Sequence, residues 1–321
     1  MTIVQLPQAV PAKDKLFDPA QDAYGSRLAL VFGNESRTGA CPFFGRHCFH
    51  CDIGAGEGAF NTPLNRQRLE FFKQHYRAVL EHLNHLVLYN SGSLLNPREM
   101  SAETLEMLLA YARSLAHCRV ISLDSREMFV TQGVLARLVA GVRSDQQLRI
   151  TIGLETQDDH ARCTVLNKNL TRAGMEQAFA AIAQFGGLVG AELNLVFQSP
   201  GISQENAIAD ACQTFTYGLE LGKNFHVSVD FNFHPYYPSA IGQNHFPDHP
   251  RSRLRDAVAA ITRGRKLIDH FGNRSNIYIG WHDEGHDQEG NQREKETRGY
   301  FAGFLEFNRT QDPAKLVAIQ N

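Results

Sequence analysis

The sequence predicts an α/β fold in which a parallel β-sheet is covered by helices. Short apolar runs alternate with amphipathic helical patterns six times along the chain, and this alternation is typical of strand–helix units laid side by side. The helical stretches repeat apolar residues at three- and four-residue steps, as in Leu69, Phe72, Tyr76 and Leu80. With 321 residues, of which 43% are hydrophobic, the chain is long enough to bury the core of one large domain.

The predicted strands are the short apolar runs that stand between polar segments. They cover 28–33, 86–89, 120–123, 148–154, 188–197 and 225–231, with a further strand at 277–279. The predicted helices begin where a hydroxyl side chain or a proline precedes a helical pattern. They start at or after Thr62 (with Pro63 at the first helical position), Ser101, Thr131, Thr171, Ser203 and Arg251, with a last helix near 292–308.

Polar or glycine-rich segments follow all six predicted strands. In parallel α/β folds, ligands bind at the carboxyl ends of the strands, so these segments are expected to meet in one site. They are the loop after the first strand, Ser91-Gly92-Ser93, Asp124-Ser125-Arg126-Glu127, Glu155, Gln198-Ser199-Pro200-Gly201 and the run 232–237.

Three cysteines stand in the loop after the first strand, in the run CPFFGRHCFHC. Three thiolates can hold three irons of a 4Fe–4S cluster and leave the fourth iron open. They can also hold zinc, with His47 or His50 as the fourth ligand. The spacing C-x6-C-x2-C leaves both interpretations open. The other cysteines, Cys118, Cys163 and Cys212, are scattered singly and are interpreted as free thiols.

Composition excludes several classes of function. The formal net charge is −2 and no basic stripe is visible, whereas nucleic-acid binders usually carry a basic excess. No apolar run approaches 20 residues, so no membrane span and no membrane partner are expected. The N-terminal run has no basic start followed by an apolar core, so no secretory signal is expected either. The chain is predicted to be cytoplasmic, a compartment in which free thiols stay reduced.

Beyond the cysteines, three segments resemble one family. They are LYNSGSLLNPREM, ISLDSREMFV and ITIGLETQDDHARCTVLNKNLT. With the cysteine loop, they resemble the radical S-adenosylmethionine (radical SAM) superfamily, in the branch that contains the Elongator catalytic subunit and the archaeosine-forming enzyme. The resemblance covers roughly residues 28–235. It implies a partial (β/α)6 TIM-type barrel with a short C-terminal extension, divided into an N-terminal extension (1–26), a radical SAM core (27–235) and a substrate-specificity segment (236–321).

The resemblance also implies two cofactors, a 4Fe–4S cluster and S-adenosylmethionine. Cys41, Cys48 and Cys51 would each bind one iron, and S-adenosylmethionine would chelate the fourth through its amino and carboxylate groups. One electron, delivered by an external donor such as a flavodoxin or a ferredoxin, would then cleave the cofactor to methionine and a 5′-deoxyadenosyl radical.

Further positions match the family one by one. Ser91, Gly92 and Ser93 would lie against the methionyl amino group, with Gly92 allowing close approach of the backbone. Arg126 and Glu155 would lie near the cofactor or the substrate. Arg162 would pair with the methionine carboxylate, and His50 would contact adenine. Asn167 and Lys168 match a family pair whose role the sequence leaves open between helix capping and cofactor contact. The cysteine spacing departs from the family by three extra residues.

Beyond residue 235 the sequence has no template. His234 stands directly after the sixth strand, and the run WHDEGHD follows the last one. That run could position a substrate, bind a second metal through His282, Asp283 and His286, or be a hydrated loop. The predicted catalytic residues are Glu155, His234, His282 and Asp283.

The resulting hypothesis is a radical SAM enzyme in which the radical abstracts hydrogen from a small, biosynthetic molecule. One alternative is an enzyme that modifies tRNA or a nucleotide together with a partner protein. A second alternative is a non-catalytic zinc or iron–sulfur protein. The sequence does not identify the substrate, the bond that changes or the oligomeric state.

Overall fold

The structure is a computed structural model that describes residues 9–11, 16–280 and 295–316. Within these ranges the chain forms one eight-stranded sheet. Its strands are β1 (Ala20–Asp22), β2 (Gly25–Phe32), β3 (His85–Asn90), β4 (Val120–Asp124), β5 (Gln147–Glu155), β6 (Val189–Phe197), β7 (Val229–Pro235) and β8 (Ile277–Ile279).

Helices connect the parallel strands. They are α1 (Thr62–His75), α2 (Arg77–Leu80), α3 (Ala102–Ser114), α4 (Gln132–Gly141), α5 (Arg172–Ala183), α6 (Ala207–Phe225), α7 (Ala240–His245), α8 (Leu254–His270) and α9 (Lys295–Thr310). Among the described helices, none combines the length and the apolar character that a membrane span requires.

The strands follow one another across the sheet in chain order. β1 is antiparallel to β2, and each of the other neighbouring pairs from β2 to β8 is parallel. The α/β class and the parallel sheet are therefore confirmed, but the strand number expected of a (β/α)6 barrel is wrong. The additional strands are β1, which was not predicted, and β8, which is the further strand predicted at 277–279; both lie outside the predicted core of residues 27–235. The predicted division into three segments is not tested by these pairings and stays a prediction.

The sheet curls into a nearly closed barrel. The Arg27 guanidinium of β2 lies 3.9 Å from the ring centre of Tyr278 in β8, so opposite ends of the sheet come together. The outward faces of the strands pack against the helices in one apolar core that contains Leu28, Leu86, Ile121 and Leu193. This arrangement agrees with the alternation of strands and amphipathic helices in the sequence.

Several predicted helix starts are confirmed. The hydroxyl groups of Ser101, Thr131 and Thr171 each accept a hydrogen bond from the backbone N–H three residues later, which satisfies a donor that the helix itself leaves free. The start predicted at Thr62 is displaced by one residue. Asn61 is the N-cap there and accepts from the N–H of Leu64 at 2.9 Å, so Pro63 stands at the second helical position.

The boundaries around α6 differ most from the prediction. Ser203 does not cap α6, which begins at Ala207. The helix continues through the apolar run up to Phe225, where His226 adopts a left-handed conformation (φ 56°) and ends it. β7 begins only at Val229, so the predicted strand 225–231 starts four residues too early. An apolar run shared by the end of a helix and the start of a strand does not reveal where one becomes the other.

A layer of buried charged side chains fills the barrel at the amino ends of the strands. His85 bridges two strands there, because its Nδ1 lies 2.6 Å from Asp22 Oδ2 and its Nε2 lies 2.8 Å from Ser122 Oγ. The Ser122 hydroxyl in turn donates to Glu192 at 3.2 Å. These side chains come from neighbouring regions of the curled sheet and point to its inner side.

Arg149 connects further side chains of this polar layer. Its guanidinium donates to Asp230 at 3.0 Å, to Ser228 Oγ at 2.7 Å and to the Tyr24 hydroxyl at 3.0 Å. Burial, followed by the charge of Asp230, raises the pKa of Tyr24. Since buried charges are tolerated when they are paired and hydrogen-bonded, the layer closes this end of the barrel without leaving an isolated charge at Asp230.

We predict that Arg149→Met lowers the free energy of unfolding by about 3–5 kcal/mol, because Asp230 then remains buried without its cationic partner. Urea unfolding monitored by circular dichroism measures this loss. Arg119→Met is the matched control, since Arg119 pairs with Asp145 at the exposed surface, where such a pair contributes about 1 kcal/mol or less. Equal, small losses in both variants would contradict a structural role for the polar layer.

Candidate active site

The cysteine loop, which we define as residues 41–52, lies over the carboxyl end of the sheet. It contacts segments that follow three other strands: Arg126 after β4, Asn167 after β5 and Ser239 after β7. Polar segments after several strands therefore meet at this end, as expected for parallel strands.

The segment after β5 holds one side of the loop through backbone hydrogen bonds. The N–H of Cys48 donates to the carbonyl of Asn167 at 3.3 Å, and the N–H of Phe49 donates to that of Leu166 at 3.1 Å. The Asn167 amide donates back to the Arg46 carbonyl at 2.9 Å. Asn167 has a positive φ of 50°, a conformation that Asn adopts more readily than most residues. The pair Asn167-Lys168, whose role the sequence left open, thus includes a loop anchor.

The segment after β7 holds the other side. The carboxylate of Asp52 accepts from the N–H groups of Ala240 and Ile241 at 2.6 and 3.0 Å, which are free donors at the start of α7. The rings of Phe49 and His245 stack with their centres 4.0 Å apart. The cysteine loop is consequently held between two segments that are far away in sequence.

Glycines let the chain fold closely behind the loop. A side chain on Gly39 would meet the Gly58 backbone at 1.9 Å, and one on Gly56 would meet the Gly39 carbonyl at 1.8 Å. Both glycines have φ near +70°, a conformation that favours glycine. The N–H of Cys41 donates to the Gly54 carbonyl at 2.9 Å, so the glycine-rich run after the loop supports the first cysteine.

Each cysteine sulfur has a nitrogen donor beside it. Burial raises the pKa of Cys41 to about 12, against the opposing effect of the Phe43 N–H. Burial likewise raises the pKa of Cys51, against the N–H of Gly54. Arg126 Nη1 donates to Cys48 Sγ at 3.9 Å. The sulfurs also act on one another, since charge on Cys48 raises the pKa of both other thiols.

The donor set fits an iron–sulfur cluster in type and number. Three soft sulfur ligands stand on one short loop, and hydrogen bonds to cluster-ligating sulfurs are a usual feature of such sites. Across residues 9–11, 16–280 and 295–316, however, no three His, Cys, Asp or Glu side chains are grouped tightly enough to hold a metal ion.

A buried ion pair stands beside the loop. Glu155 follows a β-bulge at the end of β5 and has a positive φ of 64°, which is uncommon for a residue other than glycine. Lys168 Nζ donates to its carboxylate, and His50 Nε2 lies 3.6 Å away. Burial opposes ionisation of Glu155, but Lys168 and His50 hold the pKa of its carboxyl well below the usual range.

Gly153 makes room for this pair. A Cβ at Gly153 would lie 2.3 Å from Lys168 Nζ and 2.6 Å from Glu155 Oε1. The pair therefore occupies the space over the inner face of β5 that a side chain would fill. The pKa of Lys168 is raised, because the charge of Glu155 outweighs the effect of burial.

Arg126 connects the cysteine loop to two strand ends. Its guanidinium donates to the Lys168 carbonyl, contacts Cys48 as described above and lies 4.1 Å from the ring centre of Phe43. Its backbone N–H donates to Ser93 Oγ at 3.2 Å. This position agrees with a role beside the cofactor but is not a test of it.

The turn Ser91-Gly92-Ser93 packs on a buried acid. Glu99 accepts from the N–H of Ser93 at 3.1 Å and from Asn34 Nδ2 at 3.0 Å. A side chain on Gly92 would meet Glu99 Oε2 at 1.6 Å, so this position requires glycine for close packing. Burial raises the pKa of Glu99.

The remaining predicted residues lie apart from the loop or outside the described residues. Arg162 is fully buried and donates to the carbonyls of Leu170 and Thr156 at 2.7 and 2.6 Å and to Asp159. These bonds stabilise the segment after β5, and the cofactor role of Arg162 stays a prediction. His234 is buried at the end of β7, where a Cβ on Gly280 would lie 2.4 Å from its Cε1. His282 and Asp283 lie outside the described residues, as does the rest of the run 281–287.

Sequence reasoning gave no definite individual role to Lys168, Glu99 or Asp124. Lys168 was visible only as part of a two-residue match, and its pairing with Glu155 spans a loop whose path the sequence does not reveal. Glu99 stands in a polar turn, and such a sequence is typical of an exposed residue. Asp124 was seen as one polar residue after a strand, without a sign that it faces inward.

Comparisons with known proteins leave the family open. No protein-family model matches the chain, and no curated protein matches it. Among solved structures, the chain is similar to an N-terminally truncated Elp3 from the archaeon Methanocaldococcus infernus, with a TM-score of 0.48 and 11% identity over 81% of this chain. It spans 57% of that protein.

A second solved structure is similar to the same degree. It is a Bacteroides thetaiotaomicron protein assigned as an alpha-L-fucosidase, with a TM-score of 0.48 and 8% identity over 95% of this chain and 99% of the other. Because two proteins described so differently match equally well, these similarities do not bear on function.

We predict that Lys168→Met destabilises the protein by about 3–5 kcal/mol, because it leaves the Glu155 carboxylate buried without its main partner. Adding Glu155→Gln should restore much of the loss, since no buried charge then remains. Denaturant unfolding of both single variants and the double variant measures this coupling. Lys73→Met, which breaks the exposed pair with Glu70, should cost about 1 kcal/mol or less.

The stability that Glu155 contributes should depend on pH. Its pKa is lowered in the folded protein and is about 4.3 in an unfolded chain, so the ionised pair stabilises the fold above about pH 4.3, and this contribution is lost as the pH falls. The gap in free energy of unfolding between the unsubstituted protein and Glu155→Gln should therefore narrow on acidification. Urea titrations at a series of pH values measure the gap, and one that widens toward acid would refute the ion pair.

Proposed function

We propose that the chain is a radical SAM enzyme that acts on a small molecule. The observation that carries this proposal is the convergence of the cysteine loop, the Ser91-Gly92-Ser93 turn, Arg126 and the Glu155–Lys168 pair at the carboxyl end of one curled parallel sheet. These segments follow β2, β3, β4 and β5 in the order that the resemblance implies.

The three cysteines would hold three irons of a 4Fe–4S cluster. When bound and reduced by an external donor, the cluster would supply one electron to the sulfonium of S-adenosylmethionine, which would cleave to methionine and a 5′-deoxyadenosyl radical. The contribution of the chain is to present three thiols beside nitrogen donors. The N–H groups of Phe43 and Gly54 oppose the burial that raises the pKa of Cys41 and Cys51, and Arg126 Nη1 donates to Cys48 Sγ.

The contacts of two histidines leave zinc as the alternative to a cluster, because each contact uses one ring nitrogen and His50 Nδ1 has no partner among the described residues. Zinc on three cysteines needs a fourth ligand such as His47 or His50. His47 Nδ1 lies 3.3 Å from the Asn167 carbonyl, and His50 Nε2 faces Glu155. Both imidazoles thus contact groups other than the cysteine sulfurs.

The other side chains would bind and orient the cofactor and the substrate. Gly92 lets its turn pack closely against Glu99, and the turn would lie against the methionyl amino group. The Glu155 carboxylate, kept ionised by Lys168, is a fixed hydrogen-bond acceptor beside the loop and would take a hydroxyl group of a ribose or of the substrate. His50 joins this carboxylate to the loop, where we propose that it contacts adenine.

We also propose the remaining partners. A small, biosynthetic molecule would be the substrate, and a flavodoxin or ferredoxin the electron donor. His234, and His282 and Asp283 beyond the described residues, would act on the substrate side together with Glu155. The net charge of −2 supports a small molecule over tRNA, because phosphate contacts dominate RNA affinity.

The test is anaerobic reconstitution with iron and sulfide. The unsubstituted protein should bind about four irons per chain and, with a reductant and S-adenosylmethionine, should release 5′-deoxyadenosine. Replacing Cys41, Cys48 or Cys51 by Ala should abolish both, because each removes one of three ligands.

Cys118→Ala and Cys212→Ala are the matched controls. Cys118 is buried and its thiol donates to the Val120 carbonyl, and Cys212 lies in α6, so both should keep the iron content and the product. Stoichiometric zinc without iron–sulfur colour, or a Cys48→Ala protein that still forms 5′-deoxyadenosine, would refute the proposal.

A further inference from the structure

The inner wall of the barrel is open to solvent near the carboxyl ends of its strands. Tyr89, Asp124, Gly153, Asn194 and Val196 are half-buried, whereas the neighbouring outward-facing residues are buried in the core. These five positions lie on four consecutive strands, β3 to β6. We call this surface the bowl.

Asp124 is the acid of the bowl. It ends β4 in the same phase as Ser122, whose hydroxyl faces the barrel interior. Its Oδ1 is buried and has no hydrogen-bond partner within the described residues. Burial, followed by the nearby Glu99, raises the pKa of this carboxyl well above its usual range, and no cation of the described residues forms an ion pair with it.

Asn194 carries a second acceptor. It lies on β6 in the same phase as Glu192, which faces inward, and it is in register with Gly153 of β5. Its Oδ1 likewise has no donor among the side chains and backbone groups that the structure describes. Rotation about χ2, a soft torsion in both Asp and Asn, turns either oxygen toward the bowl.

The cations nearest the bowl are engaged elsewhere. Lys168 is paired with Glu155. Arg126 contacts Cys48, the Lys168 carbonyl and, at 3.6 Å, Glu127. The bowl thus offers two acceptor atoms, Asp124 Oδ1 and Asn194 Oδ1, that have no partner within the described residues, and a buried acceptor without a donor costs free energy. A ligand that supplies hydrogen-bond donors and a positive charge would remove this cost.

We propose that the bowl binds the substrate and that it recognises a primary ammonium group through Asp124, with Asn194 accepting a second hydrogen bond. This inference rests on the proposed function for the substrate's role, but the binding itself does not require a cluster. A phosphorylated substrate is disfavoured, because the bowl would place phosphate beside Asp124 and Glu99.

An ammonium group could come from two sources, the substrate or the methionyl part of S-adenosylmethionine. We assign it to the substrate, because the resemblance implies that the methionyl amino group binds the fourth iron of the cluster. The two sources can be distinguished by experiment. If the ammonium belongs to S-adenosylmethionine, cofactor binding requires Asp124; if it belongs to the substrate, cofactor binding does not.

The experiment measures binding of n-butylammonium and of 1-butanol to the cluster-free protein by saturation-transfer NMR titration at matched ionic strength. The ammonium probe should bind and the alcohol should not. Asp124→Asn should weaken ammonium binding by about tenfold or more, since a charge-assisted hydrogen bond is lost. Asp124→Glu, which keeps the charge, should retain more of the affinity, and the exposed Asp248→Asn should change nothing.

A second arm measures S-adenosylmethionine binding to the reconstituted protein by equilibrium dialysis, where Asp124→Asn should match the unsubstituted protein. Equal binding of both butyl probes, or ammonium binding unchanged by Asp124→Asn, would overturn the proposal. A loss of cofactor affinity in Asp124→Asn would overturn it too, by placing the cofactor's own ammonium at Asp124. Failure of the radical SAM assignment would show instead as missing iron, which leaves the first arm unaffected.

Discussion

The arrangement of the site depends on the buried contact between Lys168 and Glu155. The same short segment that carries Lys168 also holds the cysteine loop, because the carbonyls of Leu166 and Asn167 accept from Phe49 and Cys48. An ionised carboxylate is costly to bury unless a cation or hydrogen bonds compensate it. The ion pair therefore fixes the segment over β5, and the segment fixes the loop.

Charge is distributed unequally along the inside of the barrel. At the amino ends of the strands, acids and bases such as Asp230 and Arg149 are in direct contact, and the layer closes the barrel. At the carboxyl ends, Asp124 has no cation within 4 Å among the described side chains, and Asn194 and Val196 leave part of the wall accessible. The first arrangement is suited to stability and the second to binding, which is the usual division between the two faces of such barrels.

The sequence predicted the repeating architecture because strand and helix periodicities are local signals. Hydroxyl caps such as Ser101 and Thr171 were readable for the same reason, since a cap acts on the residues that directly follow it. The change from α6 to β7 was not readable, because apolar residues run through it and the left-handed His226 ends the helix without a glycine. The short β1 has no apolar run, and its pairing with β2 forms only in the folded chain.

The candidate site likewise contains some features that the sequence predicted and others that it did not. The cysteines and the glycine of the Ser91-Gly92-Ser93 turn were visible from spacing and resemblance. The partners of Glu155 and Arg126 were not, because they lie on other loops and their contacts arise from the curl of the sheet. Arg162 donates to the Leu170 and Thr156 carbonyls and to Asp159, contacts that the sequence did not reveal, and its cofactor role stays a prediction.

The contacts that hold the cysteine loop determine when it can fold during synthesis of the chain. Its anchors stand 120 residues downstream for His47 and Asn167, and 189 residues downstream for Asp52 and Ile241. During synthesis the thiols leave the ribosome long before either anchor exists, and contacts between such distant segments form late in folding. The three thiols therefore reach their folded positions only after most of the polypeptide has been made.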